Sequence, residues 1–338
     1  MNGKDKNGRI LLAHGGGGVM MRELISSVRE HLGSSTESLQ DSAVIRLDSQ
    51  NIAFTTDSFV VKPLFFPGGD IGHLAVCGTV NDLAVSGADP LYISLSYIIE
   101  EGFSQEELER ITDSVRGASA EAGVKVVTGD TKVVQRGMAD GLFINTAGIG
   151  IIPDGVEISS TSAADGDAVI VNGTIGDHGL SILSLREGID FGSGLESDTA
   201  PLNTLISGLL RDFDGIRCMR DATRGGVAAV LNEIASDSNA CIRIEEELIP
   251  VREAVISGCE LMGYEPLHIA NEGKFILIAD PAQAGDIVEA MRDNPLGSES
   301  AVIGRVESSP AGKVVMRTAI GGERVVDFPY GDILPRIC

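Results

Sequence analysis

Apolar residues recur along this chain at two spacings, and the switches between them lay out its elements. Val19, Met20, Leu24, Val28 and Leu32 follow a helical period, directly after the run His14-Gly15-Gly16-Gly17-Gly18. Ala43–Leu47 and Ile52–Asp57 are β-like. A helix is predicted from about Asp70 to Ser86, with Ile71, Leu74, Ala75, Leu83 and Ala84 on one face. Leu91–Tyr97 reads as a strand. Ser104 and Glu107 have capping-box spacing ahead of a helix carrying Leu108, Ile111, Val115 and Ala118. With strands predicted at Val124–Val127 and Leu142–Gly148, the series runs β-β-α-β-α-β. That order suits a sheet covered by helices on one face.

Pro153-Asp154-Gly155 and a Ser/Thr run mark a boundary between Ile151 and Asp165. Beyond it a strand is predicted at Ala168–Val171. Helices are predicted near 177–187, 201–212, 225–236, 251–262 and 282–293, with Thr199 capping the second ahead of Pro201. Strands at Lys274–Ala279, Ala301–Val306, Val314–Met316 and Arg324–Val326 finish the unit. From Pro329 the chain turns to prolines and glycine and ends in Pro335-Arg336-Ile337-Cys338. Such a tail is unsuited to a helix and spans at most about 35 Å when extended. By position alone, a frayed terminus and a thiol delivered to a distant cleft both fit.

Composition narrows this picture. Of the 338 residues 43% are hydrophobic and none is Trp, so the cores are built from Val, Ile, Leu and Ala. A formal net charge of −23 repels nucleic acid and anionic membrane, and obliges any anionic substrate to be held by metal or backbone N–H groups. No apolar run approaches the roughly 18 residues of a membrane span. The first residues lack a signal peptide's apolar region, so a cytoplasmic location is expected. The five cysteines (Cys77, Cys218, Cys241, Cys259 and Cys338) have no CxxC spacing. They read as reduced thiols without zinc, with a Cys241–Cys259 bridge left open.

Asp41, Asp57, Asp82, Asp130 and Asp221 fall near predicted strand ends or helix starts, several beside Gly, Ser or Thr. Each alone also reads as a cap or turn residue. Together they suit magnesium, which takes a few carboxylates and completes its shell with water and phosphate. Gly15, Gly16, Gly17 and Gly18 ahead of a helix would bring N–H groups to an anion, or form a hinge. His14, His178 and His268 are lone histidines without a chemical partner in sequence.

Thr56-Asp57-Ser58-Phe59-Val60, Gly78-Thr-Val-Asn-Asp-Leu-Ala-Val-Ser-Gly-Ala-Asp-Pro90, Gly129-Asp130-Thr131 and Asp221-Ala-Thr-Arg-Gly-Gly226 resemble the motifs of the AIR synthetase-like ATP-binding superfamily. Within it, His14-Gly-Gly-Gly-Gly18, Gly129-Asp-Thr-Lys-Val-Val134, Asn271-Glu-Gly-Lys274 and the closing Pro-Arg-Ile-Cys338 are most similar to the HypE family. The resemblance covers essentially the whole chain. It implies an α/β (α+β) fold of two domains. Residues 1–34 would be a glycine-rich segment and helix, 35–156 an ATP-binding domain dimerising through its sheet, 157–328 an α/β sandwich domain, and 329–338 a mobile tail.

The resemblance also implies chemistry. Family members receive a carbamoyl group on the terminal thiol from the carbamoyltransferase HypF. They dehydrate it to a cyano group with ATP and pass cyanide, destined for hydrogenase iron, to a HypC–HypD complex. An amide oxygen leaves poorly unless phosphorylated, so the site must align it with the γ-phosphate and remove amide protons. On this reading Cys338, Lys132 and Glu272 are catalytic, with Lys132 steadying the phosphoryl group or the amide oxygen and Glu272 taking a proton. Gly15–Gly18, Asp57, Asp82, Asp130 and Arg224 bind ATP, and Asp41, Asp57, Asp82, Asp130 and Asp221 hold magnesium. Two rivals stay open: a small-molecule kinase or synthetase, and a carrier whose tail ferries a thiol-bound group.

Overall fold

The computed structural model describes residues 18–31, 41–46, 50–189, 194–331, 334 and 336–338; the predicted His14 and Gly15–Gly17 features lie outside them. After α1 (Val19–His31), the first unit is a five-stranded sheet of β1 (Ala43–Arg46), β2 (Asn51–Phe59), β5 (Asp89–Glu100), β6 (Lys125–Val134) and β7 (Leu142–Ile152). Its order is β1-β2-β7-β5-β6, with β5 and β6 parallel and the other neighbours antiparallel. β3 (Phe65–Phe66) and β4 (Gly69–Asp70) form a small hairpin. Helices α2 (Ile71–Val85) and α3 (Gln105–Ala122) cover one face of the sheet.

α2 is apolar all round and almost wholly buried, as such a helix must be. It starts at Asp70, whose Oδ1 accepts the N–H groups of Gly72 at 2.8 Å and His73 at 3.1 Å. It lies close on β7 because Gly148 carries no side chain: a Cβ there would come within 2.7 Å of Thr79 and 2.9 Å of Leu83. Three polar residues in this apolar helix, Thr79, Asn81 and Asp82, therefore need partners, and those partners build the site.

The second unit is a seven-stranded sheet ordered β14-β13-β10-β12-β8-β11-β9. Its strands are β8 (Ala168–Val171), β9 (Ile216–Asp221), β10 (Cys241–Glu245), β11 (Phe275–Ala279), β12 (Ala301–Glu307), β13 (Lys313–Arg317) and β14 (Glu323–Val325). α5 (Asn203–Asp212) and α8 (Ala284–Arg292) pack on one face and α6 (Gly226–Asp237) on the other, while α4 (Asp177–Glu187) and α7 (Glu253–Met262) join the core shared with the first unit.

Several expectations change. β9 and β10 are unpredicted because arginines break their apolar runs; Arg217 and Arg243 are paired with Asp167 and Glu307, each at 3.0 Å. Thr199 does not cap α5. Leu202 holds the N-cap position without a side-chain cap, and Asn81 of α2 fixes it from the other unit, its Oδ1 accepting the Leu202 N–H at 2.8 Å. β6 runs on to Val134, so Asp130 lies within a strand rather than at its end. All five cysteines are free, which closes the Cys241–Cys259 alternative.

Among the described residues the tail is docked. The N–H groups of Val60 and Lys62 donate to the Cys338 oxygen at 3.0 Å and the Arg336 oxygen at 3.3 Å, an antiparallel register just past β2. Leu334 and Ile337 are buried in one apolar cluster with Phe59 and Leu74 of the first unit and Leu180 and Ile269 of the second. Arg336 adopts a left-handed backbone, φ 55°, held by its own side chain: Nε donates to Val60 O at 3.0 Å and Nη1 to Asp140 at 2.6 Å.

Candidate active site

A cleft of about 340 Å³ opens where β2, α2, β9 and α1 converge. Asp41 precedes β1, Asp82 lies in the last turn of α2 and Asp221 ends β9. One oxygen from each lies within 4.8 Å of the others. Asp57 of β2 joins the same wall. Gly78 opposite must lack a side chain, since a Cβ would press within 3.0 Å of the Phe59 ring and 3.7 Å of Asp57 Oδ2.

This crowding makes the carboxyls hard to ionise. Burial, then the charges of Asp221, Asp57 and Asp41, push Asp82 well above the usual range, although Thr55 donates to it at 2.7 Å. Burial and then Asp41 push Asp221 to about 8. Burial raises Asp41 and Asp57 against the opposing pull of Arg220 and Arg224 respectively. A divalent cation would remove the penalty from all of them, and convergent buried carboxylates fit magnesium. Arg220 braces the cluster, with Asp41 at 2.7 Å and Glu233 at 2.8 Å. Neither Arg220 nor Glu233 stands in a recognisable motif.

Glu272 enters the cleft from the loop before β11, and contacts on both sides hold that loop. Asn271 accepts the Gly176 N–H at 2.7 Å and donates to Ala222 O at 2.8 Å. At Gly273 any Cβ would sit 1.9 Å from the Asp198 oxygen. Asp198 accepts the Glu272 N–H at 3.0 Å and pairs with Lys274 at 3.1 Å. Glu272 is 3% exposed, and its Oε1 has no hydrogen-bond partner among the described residues. Burial first, then Asp57 and Asp221, raise its pKa well above the usual value.

Cys338 closes the cleft floor. It is only partly exposed, and the atoms packed about its sulfur push the thiol up to about 12, with Arg224 pulling the other way. Arg224 in turn is held firmly protonated, chiefly by Cys338 and also by Asp57 and Glu272. From the N-terminal side, Gly18, Met21 and Arg22 reach the cleft, and the Val19 N–H donates to Pro329 O at 3.0 Å.

Two predicted residues are elsewhere in the chain. Asp130 and Lys132 pair with Ser96 and Ile98 on the sheet face opposite α2 and α3. β6 is the edge strand, three strand spacings from β2, or about 14 Å. Both side chains are exposed, in a 3.4 Å ion pair with each other. Neither belongs to the carboxylate cluster. The reason is strand parity: Asp57 faces the helices, while Asp130 and Lys132 face away.

Two sheets joined by a cleft of acids define the class. The descriptions "AIR synthase related protein, N-terminal domain" and "C-terminal domain" match residues 39–152 and 164–317. The carbamoyl dehydratase HypE of Rhizobium leguminosarum bv. viciae is 49% identical over 336 residues, 98% of this chain and 96% of that protein. A solved HypE–HypF complex has a chain 47% identical with a TM-score of 0.86, covering 90% of this chain and 99% of that one. A HypE structure in complex with ATP is 45% identical with a TM-score of 0.83, covering 98% and 100%. The chain belongs to the HypE family.

Proposed function

We propose that this chain dehydrates an S-carbamoylated Cys338 to S-cyanocysteine with consumption of ATP, making cyanide ligands for the iron of nickel–iron hydrogenase. The observation that carries this reading is the docked tail, which brings the Cys338 sulfur beside Glu272, Arg224 and a carboxylate cluster. The carboxamide oxygen attacks the γ-phosphorus and ADP leaves. The C–O bond then breaks as phosphate departs, and loss of both N–H protons leaves the nitrile. Magnesium held by Asp41, Asp82 and Asp221, with Asp57 beside them, would screen the phosphate charge. Glu272, with a free Oε1 and a raised pKa, takes an N–H proton. Arg224 offers donors where negative charge gathers on the transferring group. Gly18 lines the cleft where the nucleotide would sit.

The same reading assigns HypF as the donor of the carbamoyl group, HypC–HypD as the cyanide acceptor and the cytoplasm as the location, in keeping with five unpaired cysteines. It also assigns a homodimer. The long edge strand β6 exposes Val126, Val127 and Val133, and the open sheet face exposes Phe54, Tyr92, Ile98 and Ile149. Uncovered apolar edges of this kind invite a second copy. Asp130 and Lys132 would then serve the second copy's cleft. Intact mass of the tail peptide after carbamoylation, with and without Mg-ATP, tests the function. Loss of one water on adding Mg-ATP is expected; an unchanged carbamoyl mass would favour the carrier.

A further inference from the structure

The tail is seated from two sides. On one, Val60 and Lys62 donate to the oxygens of Cys338 and Arg336, and Arg186 also donates to the Arg336 oxygen. The Ile337 carbonyl takes neither of these donors and needs one of its own, because Ile337 is 2% exposed. That donor is His178, fully buried near the start of α4, with Nε2 2.7 Å from the Ile337 oxygen.

A carbonyl only accepts, so Nε2 carries the proton. Nδ1 of the neutral ring then accepts the Ser197 hydroxyl at 2.7 Å. The Ser197 oxygen accepts in turn from the Thr199 hydroxyl at 2.6 Å and the Thr199 N–H at 3.2 Å. Every proton direction in this chain is thus set by the tail. Phe66 meets the imidazole edge-on at 5.6 Å and blocks rotation of the ring. Burial lowers the imidazole pKa, in keeping with the neutral form.

We propose that His178 is a positioning residue for the dehydration: by holding the Ile337 carbonyl it sets how far the Cys338 sulfur enters the cleft. His178 is not part of the cleft wall and acts through the tail. The inference rests on the proposed function for its reaction, and on the docked geometry alone for its contact. A partner that loads the thiol must break this bond, so His178 also governs how long the tail stays docked.

The test uses the full chain with His178→Phe and His178→Gln. Cys77, Cys218, Cys241 and Cys259 are at most 1% exposed, so a bulky thiol reagent reports on Cys338. With Mg-ATP present, His178→Phe should raise the labelling rate roughly five- to hundred-fold, the range expected when a buried carbonyl loses its donor. His178→Gln, which keeps an N–H at similar reach, should return most of the protection. Dehydration of the carbamoylated tail should slow by a similar factor in the Phe variant while KM for ATP stays unchanged. Labelling of His178→Phe at the wild-type rate, or equal labelling of the Phe and Gln variants, overturns the proposal. If His178→Phe does not fold, Ser197→Ala with Thr199→Val is used in its place, and wild-type labelling there overturns it equally. Wild-type protein that loses no water with Mg-ATP would sink the dehydratase reading, while the labelling arm still decides the role of His178.

Discussion

Replacing Asp221 by Asn should make the metal-free protein more stable, and increasingly so as pH rises. The Asp221 carboxyl is pushed from 3.8 to about 8 by burial first and then by Asp41. A raised carboxyl pKa means that the folded state keeps a proton the unfolded state has released. Unfolding stability therefore falls with pH between the two values. Each pH unit in that window costs about 1.4 kcal/mol. By pH 7 the wild-type penalty reaches roughly 4 kcal/mol. Asn keeps the shape but never ionises, so it escapes the penalty. Chemical denaturation in chelator at pH 5, 6 and 7 reads this directly. The variant's advantage should be roughly 2 kcal/mol at pH 5 and widen steadily toward roughly 4 kcal/mol at pH 7. Adding Mg-ATP should narrow the gap at pH 7 and reverse the order at pH 5, since a ligand at a hundred times its Kd contributes about 2.7 kcal/mol to the protein that binds it. A variant no more stable than wild type at pH 7, or an advantage independent of pH, would refute the view that the cluster is an electrostatic load awaiting a cation.

Two further outcomes are expected. Glu272→Gln should accept the carbamoyl group and bind Mg-ATP, yet retain the carboxamide mass on the tail; normal dehydration would remove Glu272 as the base. Dimers mixed from Lys132→Ala and Glu272→Gln subunits should regain up to half the wild-type dehydration per hybrid dimer, because one of their two clefts is then complete. Hybrids as inactive as either parent would place Lys132 outside the chemistry of the second cleft.

Most of the layers could be read from the apolar periods, because α2, α3, β7, β8 and β11 carry patterns strong enough to identify alone. β9 and β10 could not. Their arginines look solvent-facing until Asp167, Asp41 and Glu307 arrive from distant parts of the chain. The same holds within the site. Asp57, Asp82 and Asp221 stand in glycine- and threonine-rich contexts that single them out, and Asp41 has only Ser42 beside it. Arg220 and Asn81 acquire their roles from contacts across the two units, and Glu233 and Asp198 from contacts between separate parts of the second unit. Asp130 and Lys132 share a legible motif with the others, but motif spacing carries no information about which sheet face a strand residue takes. His178 could not be read at all, since its partner is 159 positions away.

The left-handed backbone of Arg336 bears on the pace of catalysis. A non-glycine residue there costs about 1–2 kcal/mol, which cancels roughly one of the hydrogen bonds that hold the tail. On the proposed function, a tail that never left would be a dead end after one turnover, because the thiol would have to depart to be loaded and emptied. At about 1.4 kcal/mol per factor of ten, the strain shortens the tail's residence in the cleft by roughly an order of magnitude. The contacts of Arg336 with Asp140 and Val60 give the tail its address, and its own φ angle limits the length of each visit.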